Sequence, residues 1–273
     1  MRLLILPTVL ASLSKEYEEN PSSFYRDPCP DSRKGLENAC TPFDEYVWRK
    51  DGVFSYELVG TNNDYRGVTG YGYKMYSQKW LNATYWNHNV EPGQNWFHYV
   101  TVWIPDKLRA DLTNSAMLCI RGGSNTASGP GYSNLENNLL RVIAQTTGSV
   151  TAVIEQVPNG PISFTTDWRE SRKPDEVDEH TWRAFILNPE VPEQLVWFPM
   201  VKAALRTMDM VEEIIEEKFG NKIEKWAVSG ASKRGWTAWL TAAADQERVK
   251  LLVPVVCQFL NIYKTMKVIQ MII

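Results

Sequence analysis

An α/β fold with a mostly parallel sheet and flanking helices is the class the sequence predicts, on three observations. From about residue 116 strand-like and helix-like stretches alternate. The strands there, such as Leu251–Val256, are apolar throughout. The run from Trp226 to Trp239 passes from an apolar strand through a Gly- and Ser-bearing turn into a helix. Strands and helices in alternation give right-handed crossovers, and strands apolar on both faces belong in a sheet covered on both sides.

The elements follow in order. Phe54–Gly60, Gly67–Tyr76 and Phe97–Ile104 are rich in Tyr, Val, Phe and Trp with Gly, Asn and Asp between them, so residues 46–106 read as antiparallel strands leading into the sheet. Ala116–Ile120 is a short apolar strand. Leu135, Leu139, Leu140 and Ile143 then recur at helical spacing, and Val150–Ile154 is the next strand. The connection 158–197 is long and mixes Pro, Gly, charges and aromatics, which reads as an ordered lid-like insertion. A helix over Pro199–Phe219 follows, with Val201, Leu205, Met208, Val211 and Ile215 on its apolar face, Pro199 in its first turn and Gly220 as its stop. Lys225–Ser229 is a strand, Trp236–Ala244 a helix and Leu251–Val256 a strand. One domain over 46–257 results, with an extension at 12–45 before it and a divergent tail at 258–273.

Composition narrows the function classes. A net charge of -3 with Lys and Arg spread along the chain leaves no basic stripe to track phosphates, which excludes nucleic acid as a partner. The eleven Trp residues are read as core and lid packing, with a sugar-stacking cleft as the sharper alternative. Met1-Arg2, the apolar run Leu3–Leu10 and Ala11 outline a signal peptide over 1–11, too short to span a bilayer, and no later segment is long and apolar enough to do so. Export fits a disulfide between Cys29 and Cys40, in a polar, turn-rich stretch, while Cys119 and Cys257 read as buried small hydrophobes. Asn82-Ala83-Thr84 is a glycosylation sequon. No cofactor and no metal site is expected.

The chemistry concentrates in WAVSGASKRGWTAW. A Ser on a tight strand-to-helix turn is a nucleophile elbow, and Ser232 is placed for it: Gly230 relieves crowding ahead of it and Gly235 lets the new helix pack against the strand it left. The second glycine comes three residues after the Ser rather than two. Lys233 and Arg234 open that helix, where the dipole disfavours cations, which reads either as an anion or developing oxyanion nearby, with Arg234 the candidate contact, or as a pair of solvated surface cations. Gly122-Gly123, after the strand ending at Ile120, can aim backbone N–H groups at an oxyanion, with the Lys233 amide as the other donor.

SGASKRGWTAWLTAAAD, IRGGSN, EQVPNGPISF and FPMVKAALRTMD together resemble the PhoPQ-activated pathogenicity-related protein family, which includes secreted autocrine proliferation repressors. The resemblance spans roughly Thr41 to Val256 and implies an α/β-hydrolase fold with Ser232 as nucleophile. The SKRG run also resembles the elbow of glucuronoyl esterases, where a basic residue after the Ser helps hold the oxyanion; Lys233 stands in that neighbourhood.

The chain departs from the α/β-hydrolase pattern in one respect. The order there is Ser, then Asp or Glu, then His, whereas His88, His98 and His180 all precede Ser232 and only Asp245 and Glu247 follow it as acids. A premature end after Val256 is the expectation, leaving LLVPVV as an unpaired apolar edge. The function expected is that of a secreted serine hydrolase of esterase type, inactive in this form, acting on a small-molecule ester or amide. The alternatives are a secreted signal that uses the hydrolase scaffold to meet a cell-surface receptor, and a non-functional fragment. His180 swinging in from the insertion is the competing idea for a base.

Overall fold

The computed structural model describes residues 40–82, 85–87 and 95–257. The expected signal peptide, Cys29, His88 and the tail 258–273 lie outside them. Helix α1 (Pro42–Trp48) comes first. Its start is a capping box in which the Thr41 hydroxyl accepts from the Asp44 amide and the Asp44 carboxylate accepts from the Thr41 amide at 3.1 Å, with Pro42 in the first turn.

Strands β1 (Ser55–Asn62), β2 (Val68–Lys79) and β4 (Asn95–Pro105) follow, with the short β3 (Trp86–Asn87) between the last two. Then come β5 (Ser115–Ile120), helix α2 (Leu135–Thr147), β6 (Val150–Ile154), the short β7 (Ser163–Phe164) and helix α3 (Pro174–Leu187). Helix α4 (Trp197–Phe219), β8 (Lys225–Ala231), helix α5 (Lys233–Ala244) and β9 (Val249–Val255) complete the described chain. The main sheet has the order β1-β2-β4-β6-β5-β8-β9, and β3 pairs with β7 in a separate ribbon. The pairings β1/β2, β2/β4 and β4/β6 are antiparallel, and β6/β5, β5/β8 and β8/β9 are parallel. Thus β2, β5, β6, β8 and β9 point one way and β1 and β4 the other, the mostly parallel sheet expected.

Alternate side chains of the central strands feed two cores. Leu118, Ile120, Ala152 and Ile154 face α4, whose Val201, Leu205, Met208, Val211 and Ile215 are all buried against them. Cys119, Val153 and Trp103 face α2 through Leu140 and Ala144. Strand β6 is buried along its whole length, which is why a continuous apolar run suits it. Helix α4 ends at Gly220 with φ +65°, the left-handed cap that a glycine adopts without steric cost.

Three expectations change, and the insertion proves to hold a helix. Leu135 and Leu139 of α2 are exposed, and the buried face is Asn137, Leu140 and Ala144. The Asn137 carboxamide earns that place by accepting from Trp103 Nε1 at 2.9 Å and donating to Gly131 O. Within 158–197 the chain forms a fourteen-residue helix, α3, with Pro174 and the acids Asp175 and Glu176 in its first turn. Cys257 is half-buried rather than buried, while Cys119 is buried and its thiol is pushed up to about 12 by desolvation. On β9 the side chains of Leu251, Val253 and Val255 are exposed, so cover on both faces does not extend to this edge among the described residues. The Trp residues divide: Trp80, Trp96, Trp103 and Trp226 are fully buried in the core, and Trp168, Trp182 and Trp239 reach solvent.

Candidate active site: the turn at Ser232

In this sheet the chain moves from β5 to β6 on one side and later returns to β8 on the other, so the strand order reverses between β5 and β8. Ligands bind beyond the C-terminal ends of strands at such a reversal. Ile120 pairs with Gly230 across the reversal, so Arg121-Gly122-Gly123 and Ala231-Ser232 leave the sheet side by side.

Ser232 has φ +56° and ψ -123°, a conformation that costs a non-glycine residue on the order of 1–3 kcal/mol and persists only when its surroundings impose it. The Ser232 amide donates to Val255 O of β9 at 2.9 Å, and its carbonyl receives the Gly235 and Trp236 amides at 2.9 and 3.2 Å as α5 starts. A Cβ on Gly230 would lie 2.3 Å from Arg234 O, and one on Gly235 3.0 Å from Gly230 O. Both glycines therefore allow the backbone of strand and helix to cross closely. Ser232 is exposed, and its hydroxyl makes no capping bond to α5.

The glycine turn after β5 is fixed from below. Arg121 pairs with Glu136 and Glu155 at 2.8 and 2.9 Å, and Glu155 also accepts from the Gly131 amide. Burial raises the Glu155 carboxyl, against the pull of those two donors. The Gln156 amide donates to Gly122 O, and Gln156 itself is fully buried at φ +58°. Gly123 has φ +143°, a conformation open to glycine. Among the described residues the amides of Gly122, Gly123 and Lys233 have no acceptor, which leaves all three expected oxyanion donors uncommitted.

The two cations after Ser232 have separate partners. Lys233 turns to α3: its ammonium donates to Pro174 O at 2.8 Å and pairs with Asp175 at 2.6 Å and with Asp178. These acids account for the cation at a helix start, and they bind the ammonium that the resemblance to glucuronoyl esterases would set beside an oxyanion. The Lys233 bond holds the Asp175 carboxyl below its usual range, whereas burial raises that of Asp178. Arg234 lies over the glycine turn: its Nε donates to Val157 O at 2.6 Å, and a Cβ on Gly122 would fall 2.6 Å from its Nη2. Gly122 is thus a glycine because the guanidinium fills its side-chain space. Burial lowers the Arg234 pKa, and among the described residues the group has no carboxylate within ion-pair distance.

The histidines and the downstream acids lie elsewhere. His180 stacks on Phe164 with ring centroids 4.1 Å apart and has Nδ1 3.9 Å from Asp167. Asp175 and Asp178 set the α3 face that meets Lys233, and His180, two residues further on, is turned about 200° from Asp178 around the helix. His98 is fully buried between Ser77 and Glu155 O, at 3.0 and 2.9 Å, and burial lowers it to about 4. Asp245 caps the far end of the twelve-residue α5, about 18 Å along the axis from Ser232, and is bound to Arg248. Asp175, Asp178 and Gln156 were missed in the sequence; the Pro174-Asp175-Glu176 helix start was the available signal for the first two.

Cys40 is disulfide-bonded, and its expected partner Cys29 lies outside the described residues. Asn82 of the sequon is half-buried. Among the described residues no cluster of His, Cys, Asp or Glu could hold a metal ion, and no helix is long and apolar enough to cross a membrane.

A Ser at positive φ on a strand-to-helix turn, beside a glycine turn at the reversal of a mostly parallel sheet, places the fold in the α/β-hydrolase class. The PhoPQ-activated pathogenicity-related proteins match residues 43–271, and the chain belongs to that family. The match continues past Val256, beyond the point where the resemblance was expected to stop. Autocrine proliferation repressor protein A of Dictyostelium discoideum is 32% identical over 227 residues, covering 83% of this chain and 43% of that protein. The chain therefore spans less than half the length of that relative. Solved structures similar to it include an acetyl xylan esterase from Paenibacillus sp. R4, 15% identical with a TM-score of 0.49 over 79% of this chain and 57% of that one. Acetyl xylan esterase 1 from Thermoanaerobacterium sp. JW/SL YS485 is 14% identical, with a TM-score of 0.47 over 96% of this chain and 67% of that one.

Proposed function

We propose that this chain presents the nucleophile and oxyanion donors of an exported, esterase-like serine hydrolase and that, with no base beside Ser232 among the described residues, it does not itself turn over an ester. The observation that carries the reading is the strained, exposed Ser232 beside the uncommitted amides of Gly123 and Lys233. In the reaction Ser232 Oγ attacks the carbonyl carbon of a small ester or amide, its proton passes to a base, and the carbonyl oxygen becomes an oxyanion held by the two amides. Arg234, over Gly122, adds an anion contact. A serine hydroxyl is a weak nucleophile without a base, and neither described histidine touches Ser232. Export is supported by the disulfide at Cys40.

A second reading, a secreted signal on a hydrolase scaffold that meets a cell-surface receptor, is favoured by the similarity to autocrine proliferation repressor protein A of Dictyostelium discoideum. Incubation of the chain with p-nitrophenyl acetate, beside Ser232→Ala, tests the first. Equal background rates are the expected result. A rate for the wild type that Ser232→Ala removes would contradict it.

A further inference from the structure

We propose that the Lys233 side chain is a positioning residue that latches the first turn of α3 to the nucleophile turn, making α3 a fixed wall of the Ser232 site. The inference rests on the reading of Ser232 as nucleophile only for its consequence, not for its geometry. An ammonium has three N–H donors, and Lys233 meets three acceptors, Pro174 O, Asp175 and Asp178, all on α3. Asp175 and Asp178 are three residues apart and so share one face of the helix.

The rest of α3 holds the body lightly. Only Val177 and Thr181 of its fourteen residues are buried, while Ile186 and Leu187 are exposed. Arg172, just before it, is bound to Asp167, Glu179 and Glu176 O, partners within the same insertion. Trp182, one turn beyond Asp178, leans on Trp236 with centroids 6.4 Å apart, so the latched helix brings an indole to the first turns of α5. The Lys233 side chain is 9% exposed and that of Asp178 19%, so this arm of the latch sits in a medium where a charged hydrogen bond outweighs its exposed counterpart, whereas Asp175 is 90% exposed and adds little. Position 233 thereby has two separable parts: an amide with no acceptor among the described residues and a side chain bound to α3.

Hydrogen exchange of the full chain tests this. Lys233→Met should raise exchange in peptides covering 174–187 by roughly tenfold, the scale of one or more charged hydrogen bonds, and leave β5 and β6 unchanged. Lys233→Arg should restore most of the protection. Should Lys233→Met fail to fold, Asp178→Asn gives the same reading, and about 1 M salt should loosen 174–187 in the wild type, since the Debye length falls to ~3 Å. Unchanged exchange over 174–187 in both variants, or loosening of β5 and β6 to the same extent, would overturn the latch. Exchange needs no turnover, so failure of the latch and failure of Ser232 as nucleophile are read separately.

Discussion

Replacing Gly230 by Ala tests whether the turn at Ser232 is built as described. The added Cβ would lie 2.3 Å from Arg234 O, 2.6 Å from Arg234 C and 3.0 Å from Arg234 Cβ. The first two are backbone atoms of the opening turn of α5 and cannot swing aside as a side-chain tip can. Relief requires moving either β8, locked between β5 and β9, or the helix start that sets Ser232 at φ +56°. Overpacking of this kind costs typically 1–3 kcal/mol, and with backbone as the obstacle we expect about 3 kcal/mol. For a chain of this size that lowers the melting temperature by roughly 6–12 °C. Gly129→Ala is the control, because nothing lies within 4 Å of its added Cβ, and it should stay within about 0.5 kcal/mol of wild type. Thermal unfolding followed by circular dichroism reads all three. If Gly230→Ala melts with the wild type and the control, the close crossing of β8 and α5 is wrong.

Two further predictions concern buried charge. His98 is lowered to about 4 from a usual 6.5, so between these values the unfolded chain binds a proton that the native one does not, and stability falls as pH drops through that window. The loss approaches about 3 kcal/mol; urea titrations across the window should show it in the wild type and not in His98→Gln, and parallel curves would refute it. Lys202 is fully buried, bound to Arg49 O and to Asp51 at 2.7 and 2.8 Å, and lowered to about 8 by burial. Lys202→Met strands a buried carboxylate and should cost roughly 3–5 kcal/mol, whereas adding Asp51→Asn should return a large part of it. A double variant no more stable than the single one would show that the pair is not coupled.

Most of the sheet was legible because its strands are apolar along their length and are separated by amphipathic helices or Gly and Pro turns. Val150–Ile154 was read to the residue, and Pro199 and Gly220 marked the ends of α4 closely. What escaped has local causes. Helix α3 is too polar to show a 3.6-residue period, since it is held by Asp175 and Asp178 reaching Lys233 rather than by an apolar stripe. The face of α2 was misjudged because a polar residue, Asn137, is buried by bonds to Trp103 and Gly131 that pattern alone does not reveal. At the site, Ser232, Gly230 and Gly235 could be read, since only glycine permits that crossing of strand and helix. The division between Lys233 and Arg234 could not, because it depends on an insertion folding back from 55 to 59 residues earlier in the chain.

Mass-spectrometric mapping of fluorophosphonate labelling on the soluble 273-residue chain tests most directly the claim that Ser232 occupies a nucleophile turn that no described base serves. Without a base, oxyanion stabilisation and binding leave roughly a thousandfold to ten-thousandfold over water, too little to label Ser232 on the time scale of the probe, and no adduct at Ser232 is expected. Stoichiometric labelling at Ser232, lost in both Ser232→Ala and His180→Ala, would contradict the account and make His180 the base.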